Sequence, residues 1–147
     1  MISREDMTYE RLGQVLDGAG LDWATYDDGS IYVTSGPVGT WVRIEEKRGL
    51  VAFSTYWALR GEAEDGAALR LANRCNEHLV LVQFSICGPG HRLCGTFHLP
   101  FHEGLDPRTF LRINRMFMES FMAAVTGEDR EDLLAARPGG EEAAVLN

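Results

Sequence analysis

At 147 residues, 45% of them hydrophobic, the chain is long enough for one domain with a sizeable core and too short for two of ordinary size. Acidic side chains outnumber basic ones by 22 to 14, giving a net charge of -8 and a pI near 4.9, so the averaged field opposes binding to nucleic acid or anionic lipid. No apolar run approaches the ~20 residues of a membrane span, and the opening MISREDMTYERL is charged where a signal peptide is apolar, so the expected location is the cytoplasm. The three cysteines, an odd number without secretory context, read as reduced apolar side chains rather than a disulfide framework.

The first helix is expected to start near Ser3 or Thr8, with carboxylates in its first turn, a face of Leu12, Val15, Leu16 and Ala19, and a stop at Gly18 or Gly20. Four short alternating runs follow, DWATY, SIYVTS, TWVRIEE and LVAFSTYW, separated by turn residues and so predicted as consecutive hairpins. A helical period returns with Ala68, Leu71, Ala72 and Cys75, with Asp65 as its cap. The strand LVLVQFSIC and the run RLCGTFHLPF then form a hairpin about Pro89 and Gly90, in a register that sets Ile86 opposite Leu93, Phe84 opposite Gly95 and Val82 opposite Phe97. The last helix opens with Asp106 as cap and Pro107 at its first position and closes at Gly127. The order α-ββββ-α-ββ-α with hairpin-linked strands predicts an α+β fold with an antiparallel sheet of about six strands and helices packed on it. Residues 1–127 are expected to form the domain. Residues 128–147 are polar, are broken by Pro-Gly-Gly, and are expected to be a mostly mobile tail.

Asn73 and Asn76 stand one turn apart where the middle helix ends and its carbonyls lack partners. Asn76 is expected to cap the helix and Asn73 to clamp the neighbouring loop, both structural; the other reading is that the paired amides grip a ligand. In ALRLANRCNEHLVLVQFSI, LDGAGLDWATYDDGSIYV and LVAFSTYW the chain resembles the YbjN-like family, bacterial proteins described as sensory-transduction regulators. That resemblance spans most of residues 12–125. It implies a fold similar to type III secretion chaperones, no known active site, and action through protein partners.

The residues themselves offer little chemistry. His78, His91, His98 and His102, with Cys87 and Cys94, lack the tight spacing of a zinc site, so no metal or cofactor is expected. No serine lies in a Gly-x-Ser-x-Gly setting, and GPVG and GPGH place prolines where a phosphate loop needs backbone donors. The pairs Asp27 and Asp28, Glu45 and Glu46, and Glu141 and Glu142 are adjacent, so they diverge on a strand or are solvated in a turn. The chain is therefore expected not to be an enzyme.

Two surfaces stand out as partner sites. On the last helix a narrow polar stripe of Arg108, Arg112, Arg115 and Glu119 leaves a wide apolar remainder, in which Met116, Met118 and Met122 suit an adaptable contact. On the strands, pairing Ile44 with Phe53 would set Tyr32 beside Arg43 and align Thr34, Trp41 and Tyr56, so Tyr32, Trp41 and Tyr56 read as an aromatic anchor on the polar face. The expectation is a non-catalytic protein-binding regulator or chaperone-like module that forms a homodimer, with a small-molecule sensor or enzyme, its pocket between the sheet and the last helix, as the alternative.

Overall fold

Thr8 caps the first helix, accepting a hydrogen bond at its hydroxyl from the Arg11 amide at 3.1 Å, and α1 runs Tyr9–Gly18. In the computed structural model, which describes residues 1–88 and 92–136, the chain continues through β1 Trp23–Thr25, β2 Ile31–Val33, β3 Thr40–Glu45 and β4 Leu50–Ala58. Then come α2 Asp65–His78, β5 Gln83–Cys87, β6 Arg92–Pro100 and α3 Pro107–Gly127. The strands form one antiparallel sheet in the order β1-β2-β3-β4-β6-β5, so β1 and β5 are its edges. Fold class and element order are as the sequence predicts. No helix among the described residues is long and apolar enough to cross a membrane.

Alternation along the strands divides the sheet into two unlike faces. Ile31, Val33, Val42, Val51, Phe53, Trp57 and Leu93 are buried on one side, where α3 lays Phe110 and Phe117 against Phe53 and Phe121 against Phe84. Gly95 makes the last contact feasible, since a Cβ there would lie 2.7 Å from the Phe121 ring. In α1, Gly13 performs the same service for Trp23, whose Nε1 donates to Asp17 at 2.8 Å. Asp106 caps α3 and Pro107 opens it, as expected.

Three expectations are corrected. First, α2 runs past Asn76 to His78 and is capped at Leu79, while its N-cap is Glu64 rather than Asp65. Asn73 is exposed and has no hydrogen bond among the described residues; Asn76 is the clamp. Second, Cys87 and Cys94 are joined in a disulfide with Cα atoms 6.1 Å apart, because they stand diagonally across the β5–β6 ladder; only Cys75 is free, and it is buried. Third, the chain after Gly127 docks. Leu133 and Leu134 are buried, Leu134 bridges to Leu59, and the Trp57 indole donates to the Ala135 carbonyl at 2.7 Å. Residues 137–147 and the Pro89-Gly90 turn, with Glu141, Glu142 and His91, lie outside the described residues.

Candidate functional site

Among the described residues, the three helices α1, α2 and α3 pack on one face of the sheet, so the side chains at alternate strand positions face outward and stay half exposed. Register decides which of them meet. Gly49 takes a left-handed conformation (φ 64°) after the short turn Glu46–Arg48, which pairs Glu45 with Leu50 and hence Trp41 with Ser54. Tyr32 pairs with Trp41. The expected register was therefore two residues off in both hairpins: Tyr32 faces Trp41 and not Arg43, and Ile44 faces Val51 and not Phe53. A slip of two keeps every side chain on its face, which is why the composition of the outer face was right while the contacts were not.

On that face Trp41 is the centre of an aromatic group. Its ring lies 4.5 Å from Tyr32, stacks 5.6 Å from Tyr56 with 17° between planes, and meets the edge of Tyr26 at 6.2 Å. Arg92 lies 4.4 Å over the Tyr56 ring, a cation-π contact that only the strand register could reveal. Tyr32 passes over Gly39, where there is no room for a Cβ, and burial pushes its phenol up from the usual tyrosine range. Between Trp41, Tyr56, Arg92 and the Cys87–Cys94 bridge the surface dips into a concavity of about 430 Å³.

Of the two guanidiniums at the border of this concavity, Arg43 is matched within the chain. Arg43 donates from Nη2 at 2.8 Å and from Nε at 3.2 Å to Asp28 Oδ2. Asp28 Oδ1 also accepts from the Ser30 hydroxyl at 2.5 Å and the Ser30 amide at 2.9 Å. The Ser30 hydroxyl, followed by the other donors, holds that carboxyl below the usual range against a partial desolvation cost. His98 Nε2 lies 3.4 Å from Glu45 Oε2.

The match to sequence families covers residues 8–127, with the YbjN family, described as "Putative bacterial sensory transduction regulator". The chain belongs to that family. Among solved structures, it is similar to the crystal structure of YbjN from E. coli, described as "a putative transcription regulator". The two superpose with a TM-score of 0.74 over 88% of this chain and 96% of that one, at 16% identity, which shows a shared fold. No curated protein matches the chain in sequence. The YbjN family match ends at Gly127, so the docked segment 128–136 lies beyond it.

The second expected surface is largely internal. Met118 is 4% exposed and lies under Gly36, where a Cβ would come within 2.6 Å of its sulfur, and Met122 is half-buried against the core. Met116 alone of the three is exposed. Much of the apolar width of α3 is taken up by the sheet, by α1 and by the β2–β3 loop of the same chain, while Leu111 stays half-exposed. The described histidines, His78, His98 and His102, do not converge: His78 Nδ1 lies 2.7 Å from Glu128 Oε1, His98 is beside Glu45, and His102 packs by Gly49. Among the described residues, no group of three His, Cys, Asp or Glu side chains is placed to hold a metal ion. Burial pushes the Cys75 thiol up to about 11, so at neutral pH it is a protonated core side chain.

Proposed function

We propose that this chain is a non-catalytic regulator that acts by binding a partner protein through the open face of its sheet, with Trp41 as the anchor and Tyr32 and Tyr56 beside it. The observation that carries the reading is the position of Trp41: half-buried, stacked on Tyr56, and on the side of the sheet that no helix among the described residues covers. Large aromatic side chains held rigid before contact lose little entropy on binding and dominate interface energetics. The concavity beside Trp41 suits an apolar side chain of the partner, and Arg92 at its border suits a carboxylate. The family's description as a regulator agrees with this reading. Its non-catalytic character is supported by the thiols, two of them bonded to each other and the third protonated in the core.

A homodimer is part of the proposal, with light scattering as its check. The partner is tested by replacing Tyr32 with a photo-crosslinking phenylalanine analogue in cells, with and without Trp41→Ala. The expected result is a defined set of cross-linked proteins that Trp41→Ala removes while the circular dichroism spectrum is unchanged. Equal capture of the same proteins by Trp41→Ala would sink the assignment of this face.

A further inference from the structure

On the helical side of the molecule, Leu111, Asn114 and Met118 share one side of α3 and, with Leu21 after α1 and the β2–β3 loop at Gly36, enclose a groove of about 480 Å³. That volume lies in the range of small-ligand sites. Asn114 is only 3% exposed, and its Oδ1 has no hydrogen-bond partner among the described residues. An acceptor withdrawn from water and left without a donor opposes folding, and native chains rarely leave one so. On the groove's rim, Arg108 and Arg112 stand one helical turn apart, exposed, and neither has an ion pair among the described residues. Arg115 and Glu119 also border the groove and face each other at 3.8 Å, so in a chain with a net charge of -8 this rim carries three guanidiniums to one carboxylate, a local exception to the acidic surface.

We propose that this groove binds a small anionic amphiphile. Its carboxylate is taken by Arg108 and Arg112, an amide N–H or hydroxyl near that carboxylate donates to Asn114 Oδ1, and its alkyl chain covers Leu21, Leu111 and Met118. An N-acyl amino acid has all three parts in that order. The site is separate from the aromatic face, which lies on the other side of the sheet, so either can fail without the other.

Isothermal titration of the full chain with N-octanoylglycine tests it, beside octanoate, which lacks the amide, and the methyl ester of N-octanoylglycine, which lacks the charge. Saturable one-to-one binding is expected, with octanoate and the ester each weaker by roughly tenfold, the effect of one charge-assisted or buried hydrogen bond. Arg112→Gln is expected to weaken binding by a similar factor at unchanged melting temperature. Asn114→Leu removes the orphan acceptor at similar volume, so it is expected to abolish the preference for N-octanoylglycine over octanoate without lowering the melting temperature of the free protein. A merely structural Asn114 would lower that temperature instead. No saturable heat with N-octanoylglycine, or equal binding of octanoate, overturns the proposal, and the octanoate comparison needs no variant should Asn114→Leu fail to fold.

Discussion

Asn76 closes the outer edge of β5 by acting as a strand would: its Nδ2 donates to the Phe84 carbonyl at 2.9 Å while its Oδ1 accepts from the Phe84 amide at 2.8 Å. One amide side chain on α2 thus satisfies both backbone groups of a residue on an edge strand, where unpaired groups invite pairing with another chain. On β3, beyond the short reach of β2, the Tyr9 hydroxyl accepts from the Ile44 amide at 3.0 Å in the same manner. Asn76→Ala is expected to cost about 1–3 kcal/mol, the sum of two ordinary hydrogen bonds, and to speed amide exchange at Phe84 ahead of the β4–β6 ladder. Urea unfolding and hydrogen exchange measure the two effects; a loss confined to global stability, with Phe84 still protected, would contradict the edge-closing role.

Gly13 offers a test in which helix propensity and packing point in opposite directions. Within a helix, glycine to alanine stabilises by about 1 kcal/mol. Here the added carbon would lie 2.5 Å from Trp23 Cζ2, in an indole fixed by its bond to Asp17. Overpacking of this kind costs about 1–3 kcal/mol, so Gly13→Ala is expected to be net destabilising by roughly 1 kcal/mol. Thermal melts decide the sign. Gly18→Ala, at a position where a Cβ meets nothing within 4 Å, serves as the control.

Much of this architecture is legible in the sequence because it depends on period and punctuation: Thr8 and Asp106 as caps, Pro107 at the start of α3, and the β5–β6 register about Ile86 and Leu93. What depends on contacts between distant segments is not. The aromatic face was legible in composition, since parity alone selects Tyr32, Trp41 and Tyr56, but the stacking needed a register that Gly49 sets by its left-handed conformation. The methionine surface was misjudged because the width of an apolar stripe shows how much must be covered, not which segment covers it; Gly36 over Met118 leaves no periodic trace. The register that sets Ile86 opposite Leu93 also sets Cys87 and Cys94 on one diagonal, yet the odd cysteine count argues for reduced thiols over a bond.

Asp28 gives the chain an acid-sensitive link between the β1–β2 turn and β3. Its folded pKa lies below the ordinary value of 3.8, so the carboxylate form is favoured by folding. The stability it contributes is present above that unfolded value and is lost as pH falls through the folded one. Its side chain is 44% exposed, so solvent screening keeps the contribution modest. The expected outcome is that Asp28→Asn lowers stability at pH 6 and that the difference from wild type shrinks towards zero as pH falls through the range below 4. Denaturation at a series of pH values reads both; a gap that widens with acid would reverse the sign assigned here.

The segment after α3 binds its own domain through contacts of three kinds. Asp129 accepts from the Leu133 and Leu134 amides at 2.8 and 3.0 Å, turning the chain back. Arg60 donates its amide to the Leu133 carbonyl at 2.8 Å and Ala135 donates to the Ala58 carbonyl at 2.9 Å, so the segment runs as a short antiparallel partner beyond the end of β4. Arg70 holds Glu131 through two hydrogen bonds, at 3.0 and 3.3 Å. Burying two leucines contributes several kcal/mol at most before the entropy of ordering the segment is subtracted. Removal of residues 128–147 is therefore expected to destabilise the domain by about 2–3 kcal/mol and to shift tryptophan emission to the red, because Trp57 loses the Ala135 carbonyl and its cover. Leu134→Asp should reproduce both effects at full length, since a carboxylate cannot be buried beside Leu59 without a partner. An unchanged melting temperature in both variants would mean that the docked segment is not held in solution.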